Sequence, residues 1–205
     1  MTSLAATLAS ALLIACGGGS DAAPPSPASP PAPAAAFTLQ VLHVADMDSG
    51  GDLVTNSKGL SALVNTFRAA YPSNTVFLSS GDNFIPGPFF NASDDASLAP
   101  ELGAAGAGRG DIEILNLMGL QASAVGNHDL DLGTNFFNAL INAGGGWRGA
   151  QFPYLSANLD FSTDSNLNAR VVADGGDAAT QANRLSGSTV ITVNGERIGI
   201  VGATT

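Results

Sequence analysis

The stretch ASAVGNHDLDLG, residues 122–133, joins a short apolar run to a turn rich in Asn, Asp and Gly. The apolar run has the length of a buried strand, and Asn, Asp and Gly are the residues that form tight turns. His128 stands inside this turn, and it is one of only two histidines in the chain. The segment therefore predicts a strand that ends in a polar loop carrying a chemically active side chain.

Strand-like runs alternate with helical runs on both sides of this segment. Strands are predicted in 37–46, 75–82, 122–129 and 152–159, and helices in 57–71, 111–120 and 134–143. The apolar residues of the first helix recur at helical spacing; they are Leu60, Leu63, Val64 and Phe67. Residues 188–205 are typical of a hairpin that turns at Asn194 and Gly195. This alternation favours an α/β domain with mostly parallel strands.

The composition is that of a folded, acidic protein. Of the 205 residues, 45% are hydrophobic and 12% are charged, which supplies enough apolar material for a core. The formal net charge is -10, with only seven Lys and Arg, so the surface would repel a polymeric phosphate backbone. We therefore expect no nucleic-acid polymer as a partner. A small phosphate ester stays compatible with this charge if a metal supplies the positive charge.

The N-terminal segment predicts export. Residues 4–15 form an apolar run that is too short to span a membrane but has the length of a signal-peptide core. The run ends in LIAC, where Cys16 follows a small residue, as in the lipobox of bacterial lipoproteins. Residues 17–36 are rich in Gly, Pro and Ala and cannot pack a core. The sequence thus predicts a signal peptide at 1–15, a linker at 16–36 and a folded domain at 37–205.

Cys16 is the only cysteine in the chain. If it is lipidated, it would anchor the protein to the membrane of the bacterial cell envelope, in the periplasm, at the outer membrane or on the cell surface. The alternative is a buried free thiol, which the Pro- and Ala-rich residues that follow it are poorly suited to cover. With a single cysteine, no intramolecular disulfide can form.

Three of the predicted strands end in oxygen or nitrogen donors. The first strand is followed by Asp46 and Asp48, the second by Asp82 and Asn83, and the third by Asn127, His128, Asp129 and Asp131. Ligands gather at the carboxyl ends of the strands in α/β domains, where these side chains would meet. A single Asp in this position is often only a turn residue. Three strand ends together favour a metal site assembled from loops.

These segments resemble a known family. The stretches LHVADMDSG (42–50), SSGDNFIPG (79–87) and AVGNHDLDLG (124–133) are similar to the motifs D-x-H, G-D and G-N-H-D/E of the calcineurin-like metallophosphoesterases. The similarity is strongest with the exported 5′-nucleotidase branch, and it extends over residues 37–205. The resemblance implies an α/β fold of the αββα sandwich type, of which this chain would hold the N-terminal portion.

The resemblance also implies a site for two divalent metal ions. Matched by position, Asp46 would bind the first ion, Asp82 would bridge both ions, and Asn127 would bind the second. His128 matches the catalytic histidine of the family, and Asp131 matches the carboxylate that orients it. Two cations about 4 Å apart would polarise a phosphoryl oxygen and lower the pKa of a bound water. His128 would stabilise the transition state or protonate the leaving oxygen.

The chain differs from the family pattern in two respects. Asp48 stands where the family usually has a metal-binding His, so Asp48 either ligates a metal or binds nothing. As a ligand it would favour Mn, Mg or Ca over Zn, although Zn and Fe stay open. The remaining ligands of the family are later histidines, including a G-H-x-H motif, whereas this chain has only His43 and His128. We expect the sequence to be the N-terminal part of a longer protein and to be inactive without the rest.

The implied function is hydrolysis of phosphate esters, with nucleotides as the expected substrates, outside the cytoplasm. Two alternatives stay open: a degenerate, inactive family member that still binds metal, and a surface lipoprotein whose acidic loops bind Ca. His43 is expected to form hydrogen bonds rather than to ligate a metal. Four phenylalanines could stack on a base or pack in the core; they are Phe89, Phe90, Phe136 and Phe137.

Overall fold

The computed structural model describes residues 37–47 and 52–205, and its strands form two sheets. The strands are β1 Gln40–Val44, β2 Thr75–Ser79, β3 Ala122–Ala124, β4 Tyr154–Leu155, β5 Gly176–Asp177, β6 Leu185–Ser186, β7 Ser188–Val193 and β8 Glu196–Val201. The α-helices are α1 Asp52–Ala70, α2 Pro88–Ala92, α3 Ala99–Leu102, α4 Arg109–Met118 and α5 Gly133–Ile141. The predicted signal peptide and linker lie outside the described residues, as does Asp48.

The larger sheet is wholly parallel, with the strand order β1-β2-β3-β4-β6. Because β1, β2 and β3 are neighbours that run in the same direction, their carboxyl ends lie side by side at one edge of the sheet. The predicted α/β class with parallel strands is therefore confirmed. The three loops that carry the candidate site residues all leave the sheet at this edge.

Strand β2 is buried on both faces, which shows how the layers stack. Phe77 is 1% exposed and packs among the helices, in a cluster with Ile112 of α4 and Phe137 of α5. Val76 is 0% exposed and packs on the opposite face against Ile191 of β7. Burying each of these side chains contributes about 1.5–3 kcal/mol. The second sheet thus covers the face of the larger sheet that the helices leave open, as the predicted sandwich requires.

The second sheet has the strand order β5-β7-β8, and β7 pairs with β8 as an antiparallel hairpin. Val193 faces Glu196 across the turn. The two turn residues, Asn194 and Gly195, have φ angles of 49° and 86°. Two positive φ angles at the centre of a two-residue loop are the geometry of a type I′ turn, which Asn-Gly favours. The predicted hairpin is confirmed.

Helix α1 differs from its prediction in extent and in the face that it buries. It begins at Asp52, earlier than the predicted residue 57. Of its predicted apolar face, Val64 is buried at 5% exposure, whereas Leu63 and Phe67 are 56% and 50% exposed. Among the described residues β1 is the edge strand of the larger sheet, and α1 connects it to β2. Helical spacing predicted the helix correctly, and the structure shows that only part of its apolar stripe is buried.

Several short elements were not predicted. Helices α2 and α3 and strands β5 and β6 are each five residues or fewer, too short for a periodic pattern to be read. Strand β4 is also shorter than the predicted 152–159. Residues 37–205 form one compact unit. Within the described ranges, no helix combines the length and the apolarity needed to cross a bilayer.

Candidate metal centre at three strand ends

The loops after β1 and β2 are joined by backbone hydrogen bonds at the carboxyl edge of the larger sheet. The N–H of Asp46 donates to the carbonyl of Gly81 at 3.3 Å, and the N–H of Ser80 donates to the carbonyl of Val44 at 3.0 Å. Asp46 and Asp82 each have a φ of 51°, in the left-handed region that non-glycine residues seldom adopt. Unusual backbone conformations of this kind cluster at functional sites, where the surroundings hold them in place.

The loops after β2 and β3 approach each other more closely than side chains would allow. A Cβ atom added to Gly126 would lie 2.1 Å from Oδ1 of Asp82, and one added to Gly81 would lie 2.3 Å from the nitrogen of Gly126. Glycine at both positions lets the two backbones meet. Asp82 is thereby brought against the loop that carries Asn127 and His128.

His128 is bonded to both neighbouring candidates. Its ring Nδ1 donates to Oδ2 of Asp131 at 2.6 Å, and its backbone N–H donates to Oδ1 of Asp82 at 2.8 Å. The side chains of His128 and Asp131 are 43% and 50% exposed, so the ring is open to solvent. The hydrogen bond to Asp131 raises the pKa of His128, and the charges of Asp131, Asp82 and Asp46 raise it further.

Four of the predicted site residues therefore lie together: Asp82, Asn127, His128 and Asp131. Asp46 is close enough for its charge to raise the pKa of His128. Asn127 lies at the start of the turn, where its carbonyl accepts a hydrogen bond from the N–H of Leu130. Within 37–47 and 52–205, no three His, Cys, Asp or Glu side chains are arranged to hold a metal ion. The predicted ligands Asp46 and Asp82 need Asn127 and further donors to complete a site.

The remaining sequence predictions concern Cys16, Asp48, His43 and the four phenylalanines. Cys16 and Asp48 lie outside the described residues, and their roles stay predictions. His43 contacts the Oγ of Ser80 through Nε2 at 2.6 Å, a hydrogen bond to the loop before Asp82. Among the phenylalanines, Phe90 and Phe137 are 3% and 0% exposed and belong to the core. Burial of these two rings leaves them unable to stack on a base.

The sequence placed Asp129 among the donors at the third strand end but assigned it no role of its own. It is 1% exposed and accepts hydrogen bonds from backbone N–H groups of both loops. Burial raises the pKa of Asp129 to about 7, while the hydrogen bonds from Gly126 and Asn83 act in the opposite direction. Asp129 occupies the last position of the G-N-H-D/E motif, and the 3₁₀ turn places His128 and Asp131 on one side and Asp129 on the other.

Asn83 is a second buried residue that was not assigned a role. It is 0% exposed, and its side-chain amide donates to the hydroxyls of Ser123 at 2.7 Å and Tyr154 at 3.0 Å. Its Oδ1 accepts from the hydroxyl of Ser79 at 2.7 Å. The loop after β2 is thus tied beneath the site to strands β3 and β4 by polar groups that are all paired.

Known proteins similar to this chain carry 5′-nucleotidase names. Protein 5NUC of Lutzomyia longipalpis is 27% identical over 143 residues, which are 70% of this chain and 20% of that protein. The 5′-nucleotidase of Diplobatis ommata is 28% identical over 185 residues, which are 83% of this chain and 26% of that protein. The crystal structure of the 5′-nucleotidase precursor from Thermus thermophilus matches with a TM-score of 0.56 at 26% identity, over 82% of this chain and 29% of that one. No family model matches.

The chain is similar to 5′-nucleotidases in sequence and in fold. These findings confirm the predicted similarity to 5′-nucleotidases and the predicted fold class. The chain spans 20% and 26% of the length of the curated relatives that it matches. The activity that the names describe belongs to those longer proteins, and its transfer to this chain is a proposal.

Proposed function

We propose that this protein is a metal-dependent phosphoesterase that hydrolyses nucleotide-like phosphate esters at the loops after β1, β2 and β3. The observation that supports this most is the bonded set formed by Asp82, His128 and Asp131. It joins a carboxylate suited to cations with an exposed histidine whose ring is oriented by a second carboxylate. The similarity to 5′-nucleotidases over most of the chain supports the same activity.

The donor set fits hard divalent cations. Asp46 and Asp82 offer carboxylate oxygens and Asn127 offers an amide oxygen, the donors that Mn²⁺, Mg²⁺ and Ca²⁺ prefer. Two aspartates held at the same sheet edge also repel each other, and a cation between them would relieve that repulsion. In this proposal Asp46 would help to hold one ion, Asn127 the other, and Asp82 would serve both. Asp48 is a further candidate ligand for the first ion.

His128 would act on the substrate directly. The cations, when bound, supply positive charge for the phosphoryl oxygens and lower the pKa of a water. Because Nδ1 of His128 is engaged by Asp131, Nε2 is the ring nitrogen left to meet an ester. From there the ring can stabilise charge on the phosphoryl group or give its proton to the leaving oxygen. Asp131 keeps the ring oriented and favours its protonated form.

The proposed location is outside the cytoplasm, at the bacterial cell envelope. The support is the apolar run of residues 4–15, the small residue before Cys16 and the Pro- and Ala-rich stretch after it. Lipidation of Cys16 would hold the enzyme at the membrane, with the folded residues carried on a spacer. A phosphoesterase placed there would meet nucleotides released or imported from outside.

Phosphate release by the protein purified from its complete gene tests the proposal. With Mn²⁺ present we expect hydrolysis of AMP and of p-nitrophenyl phosphate, loss of activity with EDTA, and recovery on adding Mn²⁺ back. The matched control is Asp95→Asn, an exposed carboxylate that caps a short turn elsewhere and should leave turnover unchanged. Mn²⁺ binding without phosphate release would favour the inactive family member instead. Binding of Ca²⁺ alone would favour the surface lipoprotein.

A further inference from the structure

Asp129 gathers backbone hydrogen bonds from two separate loops onto one buried carboxylate. Its Oδ1 accepts the N–H of Asn83 at 3.1 Å. Its Oδ2 accepts the N–H of Gly126 at 2.8 Å and the N–H of Asp82 at 3.3 Å. Asn83 and Asp82 belong to the loop after β2, whereas Gly126 belongs to the loop after β3. The carboxylate therefore bridges the two loops that carry the proposed cation ligands.

Each of these donors is a candidate ligand or the neighbour of one. Asp82 is itself the proposed bridging ligand, Asn83 follows it, and Gly126 directly precedes Asn127. Asp82 holds a φ of 51°, a left-handed conformation that aspartate tolerates better than most residues and that contacts with its surroundings help to hold. The bond from its N–H to Asp129 is one of the contacts that fix it. The position of Asp82 relative to Asn127 thus depends on Asp129.

A purely local role does not account for this arrangement. A turn carboxylate usually accepts from N–H groups within its own loop. Two of the three donors to Asp129 lie 46 and 47 residues earlier in the chain. Burying a carboxylate costs free energy unless its oxygens accept hydrogen bonds. Asp129 is 1% exposed, so a turn that needed only a polar residue would not require it. The bridging of two loops explains its presence.

We propose that Asp129 is a positioning residue that sets the spacing between Asp82 and Asn127 and thereby the affinity of the site for divalent cations. This inference rests on the proposed function, because it concerns the same site. Asp129 would touch neither the cations nor the substrate. Its effect would pass through the backbone of Asp82 and of Gly126.

The test is Asp129→Asn, measured by titration of Mn²⁺ into the metal-free protein from its complete gene. The variant keeps the shape of the side chain, but one of its two terminal positions becomes an NH₂ group that cannot accept an N–H. Contacts that orient ligands typically change metal affinity 10–100-fold. We expect Mn²⁺ affinity to fall about tenfold or more, while kcat at saturating Mn²⁺ stays within about threefold of the wild type, since the reacting groups are unchanged.

The matched control is Thr189→Val, which has the same shape without the hydroxyl. Thr189 is 1% exposed, and its hydroxyl contacts Gly176 and Gln181, away from the three loops. We expect Thr189→Val to lower the melting temperature but to keep the Mn²⁺ affinity. Unchanged affinity in a folded Asp129→Asn would overturn the proposal. So would an equal loss of affinity in both variants, because the effect would then be one of general stability.

A second measurement needs no variant at Asp129 and covers the case in which that variant does not fold. In the wild type, addition of Mg²⁺ should shift the amide resonances of Asp82, Asn83 and Gly126 while that of Thr189 stays in place. Absence of such shifts at saturating Mg²⁺ would overturn the inference. A wild type that binds Mn²⁺ but releases no phosphate would defeat only the proposed function, and one that binds neither cation would defeat both.

Discussion

Asp82 and His128 lie in contact, yet the roles proposed for them differ. The contact runs from the backbone N–H of His128 to Oδ1 of Asp82, so it does not involve the imidazole ring. The ring instead faces Asp131 and solvent. A change in the side chain of His128 therefore leaves its bond to Asp82 in place. The two residues can be separated by mutation even though they are bonded.

Asp82→Asn and His128→Ala should fail in different ways. Asp82→Asn removes the charge proposed to bridge the cations, so we expect bound metal and activity to fall together. His128→Ala should retain the metal and lose kcat by about 10²–10⁴-fold, the contribution typical of a positioned acid or base. Metal content by mass spectrometry and kcat for AMP distinguish the two. If His128→Ala lost its metal as fully as Asp82→Asn, His128 would be a ligand and its proposed role would be wrong.

The protonation of His128 depends on Asp131. The hydrogen bond between them is the main cause of the raised pKa of His128, so the ring stays protonated to higher pH than a free histidine. Asp131→Asn removes the carboxylate and should lower that pKa, so the ring loses its proton at lower pH. As the pH rises, any activity that needs the protonated ring would then begin to fall at a lower pH in Asp131→Asn than in the wild type. The loss of kcat should be milder than in His128→Ala.

NMR titration of the His128 ring in metal-free protein measures this pKa directly. Asp95→Asn serves as the control, because it removes one negative charge elsewhere on the surface. A ring that titrates at the same pH in the wild type and in Asp131→Asn would contradict the assignment of Asp131 as the orienting carboxylate.

At the level of the elements, the loops after β2 and β3 bring the candidate site residues together because the two loops meet at two glycines. A Cβ atom at Gly126 would lie 2.1 Å from Oδ1 and 2.3 Å from the backbone nitrogen of Asp82. The side-chain oxygen could move aside, but the backbone nitrogen can move only with the loop. The same nitrogen donates to Asp129, so moving the loop also strains that bond.

Gly126→Ala should therefore lower the free energy of unfolding by about 1–3 kcal/mol, the usual cost of forcing extra atoms into a packed region. It should also weaken Mn²⁺ binding, because Asp82 is displaced. Gly59→Ala is the matched control: its Cβ would meet nothing within 4 Å inside α1. Alanine there should stabilise the helix by about 0.5–1 kcal/mol. Urea unfolding measures both, and wild-type stability in Gly126→Ala would show that the loops do not meet as described.

Over the whole molecule, the second sheet also reaches the site. The hydroxyl of Thr204, which follows β8, donates to the carbonyl of Val125 at 2.8 Å, directly before Gly126. Its backbone N–H and C=O are both bonded to the side chain of Asn158 after β4. The ends of both sheets therefore converge beside the loop of His128. The candidate site is a product of the sandwich and not of one sheet alone.

The attachment of this domain to a membrane is predicted to depend on Cys16. Cys16→Ser should move the protein from the membrane fraction to the soluble fraction, because serine cannot form the thioether of a lipoprotein anchor. Fractionation and palmitate labelling measure the change. A variant that stayed in the membrane fraction and still took up label would refute the lipidation of Cys16. A Ser20→Ala variant in the same segment is the control and should fractionate as the wild type does.

The sequence predicted those features that depend on residues close together in the chain. Strands β1 and β2, helices α4 and α5 and the Asn194-Gly195 turn follow from periodicity and turn chemistry, which a few adjacent residues express. The carboxyl-edge location of Asp82 and His128 followed from the parallel arrangement. Resemblance to a family then suggested roles for these residues that no local pattern could supply.

Contacts between distant segments decided the remaining features. The burial of Asp129, the meeting of Gly81 with Gly126 and the exposed side of α1 each depend on which segments become neighbours. The sequence shows that an aspartate is polar but does not show whether it is buried. Asp129 is buried because two loops converge on it, supply N–H donors and exclude water. The local sequence pattern therefore predicted which residues lie at the carboxyl edge of the sheet. The packing of distant segments determined the distances between them.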